Sequence, residues 1–185
     1  MSETLTNWMA WEGGVDLLAV TDAALDQPNV ILHLARMVHT PVGSAPGGIV
    51  FWQPDPAAAP EVVGFVCSDE MVGAYFGPKI FAGTPFGNAP VLKADFEFEI
   101  GADSARAKVS VADHVFETRM SGLGALQPIN RSPIATAPFF QQGAEALPTD
   151  VQLTVNGKSI QIIVPPAGIT GGPAAVFAPF GSYAR

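Results

Sequence analysis

A lysine attacks carbonyl carbon once its ammonium is desolvated or set beside another cation, because either condition favours the neutral amine. The chain has four lysines, and Lys79 stands in the apolar run YFGPKIF, within SDEMVGAYFGPKIFAG at 68–83. Its neighbours suit a desolvated amine, while the proline before it equally suits a lysine on an exposed loop. Two histidines, His33 and His39, fall in VILHLARMVHT at 30–40. Read as a strand, this run puts both on one face with Ala35 and Met37, and Arg36 on the other. Six residues of strand separate them by about 20 Å, too far for one metal ion. His114 would need carboxylates brought to it by the fold, and no metal site is expected. Cys67, the single cysteine, ends the apolar run VVGFVC and reads as a small buried side chain. No phosphate-cradling glycine loop and no G-x-S-x-G elbow is present, so Ser121 and Ser132 read as loop serines and no nucleotide cofactor is expected.

The elements that must position these groups are mostly strands. The 185 residues are 48% hydrophobic and 14% charged, with 19 Gly and 17 Pro. This composition excludes general disorder and suits one domain with a sizeable core. So few charges leave apolar surface to be shared, and a homo-oligomer is expected. The net charge of −8, with nine scattered basic residues, argues against nucleic-acid partners. No run approaches the roughly 18 to 20 apolar residues of a membrane span, and the N-terminal residues carry acids where a signal peptide has bases. A cytoplasmic protein without membrane contact is the expectation.

In VLKADFEFEI at 91–100, charged residues alternate with Ala94, Phe96, Phe98 and Ile100, the period of a strand with one wet and one buried face. The run ARAKVSV alternates likewise, and pairing Ile100 with Ala105 sets Glu99 against Arg106 and Glu97 against Lys108. A third strand continues the inner face through Phe116, Thr118 and Met120. Asn156-Gly157, between two β-rich runs, marks a tight hairpin. PDPAAAPE at 54–61 reads as a surface loop. Short helices are expected at 69–76, capped by Ser68 or Asp69, and at 15–26. The predicted fold is mostly β, an antiparallel barrel or cone over 29–185 enclosing an apolar cavity, preceded by an irregular or partly helical segment at 1–28.

Four pieces of the chain resemble the acetoacetate decarboxylase-like superfamily: VHTPVGSAPGG at 38–48, VVGFVCSDEMVGAYFGPKIF at 62–81, the meander LKADFEFEIGADSARAKVSVADHVFETRMSG at 92–122, and the closing GGPAAVFAPFGSYAR. The resemblance implies a β-cone with a buried cavity, in which Lys79 is the Schiff-base lysine and Glu70 the acid of the same segment. Catalytic members of the family carry a second lysine beside the first, and this chain has Ile80 there. That exchange argues for the fold and against the family's decarboxylation.

Two functions are therefore expected. One is a lyase-type enzyme acting on a keto acid or related carbonyl compound, with Lys79 adding to the keto group, Glu70, His33 or His39 moving protons, and Arg36 or Arg119 holding a carboxylate. The other is a binding or structural protein that holds a small hydrophobic ligand or a partner protein without chemistry.

Overall fold

The computed structural model describes residues 7–185. Its elements run in the order β1 (Asn7–Ala19), β2 (Val30–Thr40), β3 (Gly43–Trp52), β4 (Val62–Cys67), α1 (Glu70–Ile80), β5 (Val91–Ile100), β6 (Ser104–Val111), β7 (His114–Ser121), β8 (Gln127–Arg131), β9 (Phe140–Ala146), β10 (Asp150–Val155), β11 (Lys158–Ile160) and β12 (Ala175–Ala184). The strands make one mostly antiparallel sheet in the order β11-β10-β7-β6-β5-β4-β3-β2-β1-β12-β9-β8. Strands β4 and β5 are parallel, a pairing that no tight turn can connect, and α1 makes the crossover between them. At the two ends of this order, β11 and β8 are the outermost strands. The sheet is therefore open and not the closed barrel that the number of strands suggested.

The meander has the register that its alternation dictates. Glu99 faces Arg106, Glu97 faces Lys108, Phe98 faces Ala107 and Phe96 faces Val109. On the wet face Arg106 bonds Glu99 at 2.9 Å and Glu117 at 2.7 Å, and Lys108 bonds Glu97 at 2.9 Å. Asn156 and Gly157, at φ 51° and 75°, turn the chain from β10 into β11, with Val155 opposite Lys158.

Two cores lie on opposite faces of β1–β4. One joins Val15, Leu17, Leu32, Leu34, Val50 and Val66 to Ala107, Val109, Phe116, Met120 and Leu153 from β6, β7 and β10, so the sheet wraps over itself. Leu32, Leu34, Val50 and Phe116 are at most 1% exposed, so packed side chains occupy the place where an apolar cavity was expected. Burial of each such side chain contributes about 1.5–3 kcal/mol. The other core sets Val72, Phe76, Ile80 and Phe81 against Ile31, Ala35, Ile49, Phe65 and Cys67. Burial on both faces explains why β2, β3 and β4 read as nearly continuous apolar runs.

Two sequence expectations change here. Residues 7–19, expected to be irregular or partly helical, are β1, which pairs with both β2 and β12 in the interior of the sheet. The helix at 69–76 instead extends over Glu70–Ile80. Asp69 caps it, its carboxylate accepting from the Val72 N–H at 3.1 Å, and Val72, Phe76 and Ile80 recur every four residues on the buried side. Pro78 lies inside the helix and lacks the N–H that would reach one turn back, and the helix ends two residues later. Lys79 thus occupies the last helical turn and not a loop.

Candidate functional site

Asp16 of β1 and His33 of β2 sit directly opposite each other. Their side chains meet on the helix-covered face, Asp16 Oδ2 lying 3.1 Å from His33 Nε2. The pair floors a cavity of about 50 Å³ whose walls include Trp11, Phe76, Ile80, Phe81 and Tyr183. A second cavity, of about 30 Å³, shares Asp16, His33 and Phe81 and is closed by Gly168, Ile169, Thr170, Pro173 and Ala174. The side chains of His33 and Asp16 keep 25% and 20% of their exposure, and both cavities border on them. Phe81 stands edge-on to the His33 ring at 6.1 Å.

The electrostatics follow from this enclosure. Burial pushes the Asp16 carboxyl well above its ordinary range; the Glu145 carboxylate pushes the same way, and the Leu34 N–H offsets part of the rise. Burial takes the His33 imidazole down to about 4. Both effects favour the neutral forms of the two groups. Glu145, 7% exposed, is held by Arg131 through two bonds of 2.6 Å. Tyr183, 8% exposed, has its phenol pushed up by burial and by the charges of Asp16 and Glu145.

An uncharged imidazole oriented by a carboxyl group in a water-poor site can accept or return a proton, the general requirement for acid–base work. Among the described residues no three His, Cys, Asp or Glu side chains gather as metal ligands. The Cys67 thiol is buried against the Pro46 carbonyl at 3.3 Å, and burial pushes its pKa up, away from the reactive thiolate.

Of the residues expected from sequence to carry function, His33 alone lines the cavity. His39 and Arg36 meet elsewhere, both on Glu12, at 2.8 Å each. The reason is a bulge in β2, where the register against β3 shifts between Ala35 and Val38, so the alternation that put His33 and His39 on one face is broken. Arg119 bonds Glu117 on the wet face of the meander. Glu70 is exposed in the first turn of α1 and Lys79 is in its last, so the helix itself keeps them apart. The Lys79 amine donates to the Tyr75 carbonyl at 3.1 Å and stands 3.8 Å over the Tyr75 ring, and it forms no ion pair among the described residues.

Asp16, Glu145, Arg131 and Tyr183 were missed from sequence. One signal was available: Asp16 is the lone charge in GGVDLLAV, and an acid inside a buried strand needs a partner. No helix among the described residues is long and apolar enough to cross a membrane. Comparison with protein-family models, with curated proteins and with solved structures finds no match to this chain.

Proposed function

We propose that the protein binds a small molecule in the cavity beneath α1 and that the Asp16–His33 pair exchanges a proton as the molecule binds. The observation that carries this reading is the 3.1 Å pair itself, set at facing positions of two interior strands and opening onto an otherwise largely apolar cavity. A titratable pair with shifted pKa values in such a cavity supports a binding or catalytic site. The cavity suits a molecule, or the head of one, of only a few heavy atoms.

Carbonyl chemistry of the lyase type, implied by the family resemblance, finds its support in His33 and not in Lys79. A base beside a carbonyl compound can move a proton on the adjacent carbon without a Schiff base. The Lys79 amine, engaged with Tyr75, supports a structural role for that lysine.

The test is a panel of ketones, amides, carboxylates and amines of up to five heavy atoms, followed by the His33 ring and Trp11 indole signals in NMR spectra. At least one class is expected to shift both signals. The shifts should disappear in Ala35→Leu, which fills the cavity. If no class moves His33, or if Ala35→Leu folds normally and responds as the wild type does, the reading fails.

A further inference from the structure

One polar side chain of the cavity wall has its donor end fixed by a neighbour. Gln141 of β9 stands opposite Tyr183 of β12 on one side and Arg131 of β8 on the other. Arg131 Nη1 donates to Gln141 Oε1 at 3.4 Å. A guanidinium has donors and no acceptor, so the amide atom turned to it is the oxygen. The amide nitrogen, with its two N–H donors, is the end left for a ligand, and Gln141 lines the cavity that Asp16 and His33 floor. Gln141 also borders an outer pocket of about 340 Å³ together with Arg131, Ile134, Phe139 and Thr170, so one residue faces both that pocket and the cavity of the pair.

The other polar groups of the lining are committed, indifferent or accepting. Trp11 Nε1 donates to the Ala178 carbonyl at 3.2 Å and is not available to a ligand. The Tyr183 hydroxyl can donate or accept, so it selects nothing. Asp16 and His33 make one contact of 3.1 Å between Oδ2 and Nε2, and the carboxyl group keeps lone pairs beyond it. Among the described residues no lysine or arginine lines this cavity. A ligand therefore meets a donor at Gln141 and an acceptor at Asp16. An anion would set its oxygens against the carboxyl group with no basic side chain beside it, and a cation whose polar atoms all donate would set N–H against the Gln141 N–H. A carboxamide carries the complement of both on one carbon.

We propose that Gln141 is the specificity-determining residue of the cavity beneath α1, and that the ligand head is a small neutral carboxamide whose carbonyl oxygen accepts from Gln141 Nε2 while its N–H donates to the Asp16 carboxyl group. This deepens the small-molecule reading and rests on it. Arg131 acts through Gln141: by holding Oε1 it keeps the amide from turning over, and it is itself held by two bonds of 2.6 Å to Glu145. The chain Glu145–Arg131–Gln141 thus presets which end of the amide a ligand meets. A cavity of about 50 Å³ admits a head of this size. An analogue lacking either the acceptor or the donor leaves a polar group of the site unpaired, which costs more than the bond itself contributes.

Acetamide, acetone, acetamidinium and acetate share one planar four-atom skeleton and differ in which ends donate, accept or carry charge. Titration of the full chain with each, followed by the His33 ring and Trp11 indole NMR signals, ranks them. Acetamide is expected to bind about tenfold or more tightly than acetamidinium or acetate, and about fivefold or more tightly than acetone. Gln141→Met keeps the length and removes the N–H, and should weaken acetamide by about tenfold. Gln141→Glu replaces the donor by an acceptor, and should reverse the order so that acetamidinium binds more tightly than acetamide. A merely structural role for Gln141 would weaken every probe and reverse nothing. The wild-type ranking decides the matter if neither variant folds. Acetone, acetamidinium or acetate binding as tightly as acetamide overturns the carboxamide class and leaves the small-molecule site standing. A folded Gln141→Met that binds acetamide as the wild type does overturns the role of Gln141. If none of the four moves either signal, both the class and the site are refuted.

Discussion

Replacing either member of the Asp16–His33 pair should reveal pH dependences that oppose each other in the wild type. In the unfolded chain the carboxyl releases its proton near its ordinary value of 3.8 and the imidazole gains one near 6.5. Between those values the unfolded pair holds one proton, on the histidine. In the folded pair burial raises the carboxyl and lowers the imidazole to about 4. A raised carboxyl and a lowered imidazole change stability with pH in opposite senses, so the two contributions offset each other in the wild type.

Asp16→Asn removes one side of that balance. The lowered imidazole then contributes stability that is fully present above 6.5 and is lost as the pH falls through about 4, because the unfolded chain takes up the proton first. At about 1.4 kcal/mol per pH unit, the interval from 6.5 to 4 is worth about 3 kcal/mol. For a chain of this length that is roughly 6–12 °C in melting temperature. His33→Gln leaves the raised carboxyl alone, whose stabilisation is greatest at low pH and is lost as the pH rises through its folded value. Urea unfolding of the wild type and both variants at half-unit pH intervals, with the His33 ring carbon shift recorded alongside, measures all three slopes. Variants sloping in the same sense, or a wild-type imidazole found charged at pH 6, would refute the opposed shifts of the pair.

Arg131→Leu should cost about 3–5 kcal/mol by urea unfolding, because it leaves the buried Glu145 carboxylate without its partner, and the added change Glu145→Leu should recover most of that loss. Gly48→Ala should destabilise by more than about 4 kcal/mol or abolish cooperative melting. A Cβ there would come within 1.8 Å of the His33 carbonyl oxygen, and strands β2 and β3 would have to separate beside the site. Lys79→Ala should change stability by no more than about 1 kcal/mol, since only the Tyr75 contact of a partly exposed amine is lost. Acetoacetate followed by borohydride should leave no mass adduct at Lys79 in the wild type; an adduct there would restore the Schiff-base mechanism.

The parts of the fold legible in the sequence are those with one wet face. Strands β5, β6 and β7 alternate because their charges meet water while Ala107, Val109 and Phe116 meet the core, and the register follows from complementary charges. Strand β1 was illegible for the opposite reason. Buried on both faces through most of its length, it has no such alternation, and Gly13 and Gly14 interrupt its apolar pattern. The site inherits that difficulty. His33 could be named from its strand, but its partner Asp16 comes from the strand that could not be read, and the bulge that sends His39 to Glu12 leaves no mark in the spacing of residues. Arg131 and Glu145 meet across β8 and β9, a pairing that only the assembled sheet defines.

An open sheet has two edges, and each row of free N–H and C=O groups is a template for another chain. Here both are blunted by local chemistry. Strand β11 is three residues long and begins with Lys158, so there is little ladder to extend and a charge at its start. Strand β8 carries Pro128, which cannot donate to an added strand. The sheet thus leaves its ends unjoined while offering a neighbouring molecule little to build on, and the protection lies in the shortness of one edge and a missing N–H in the other.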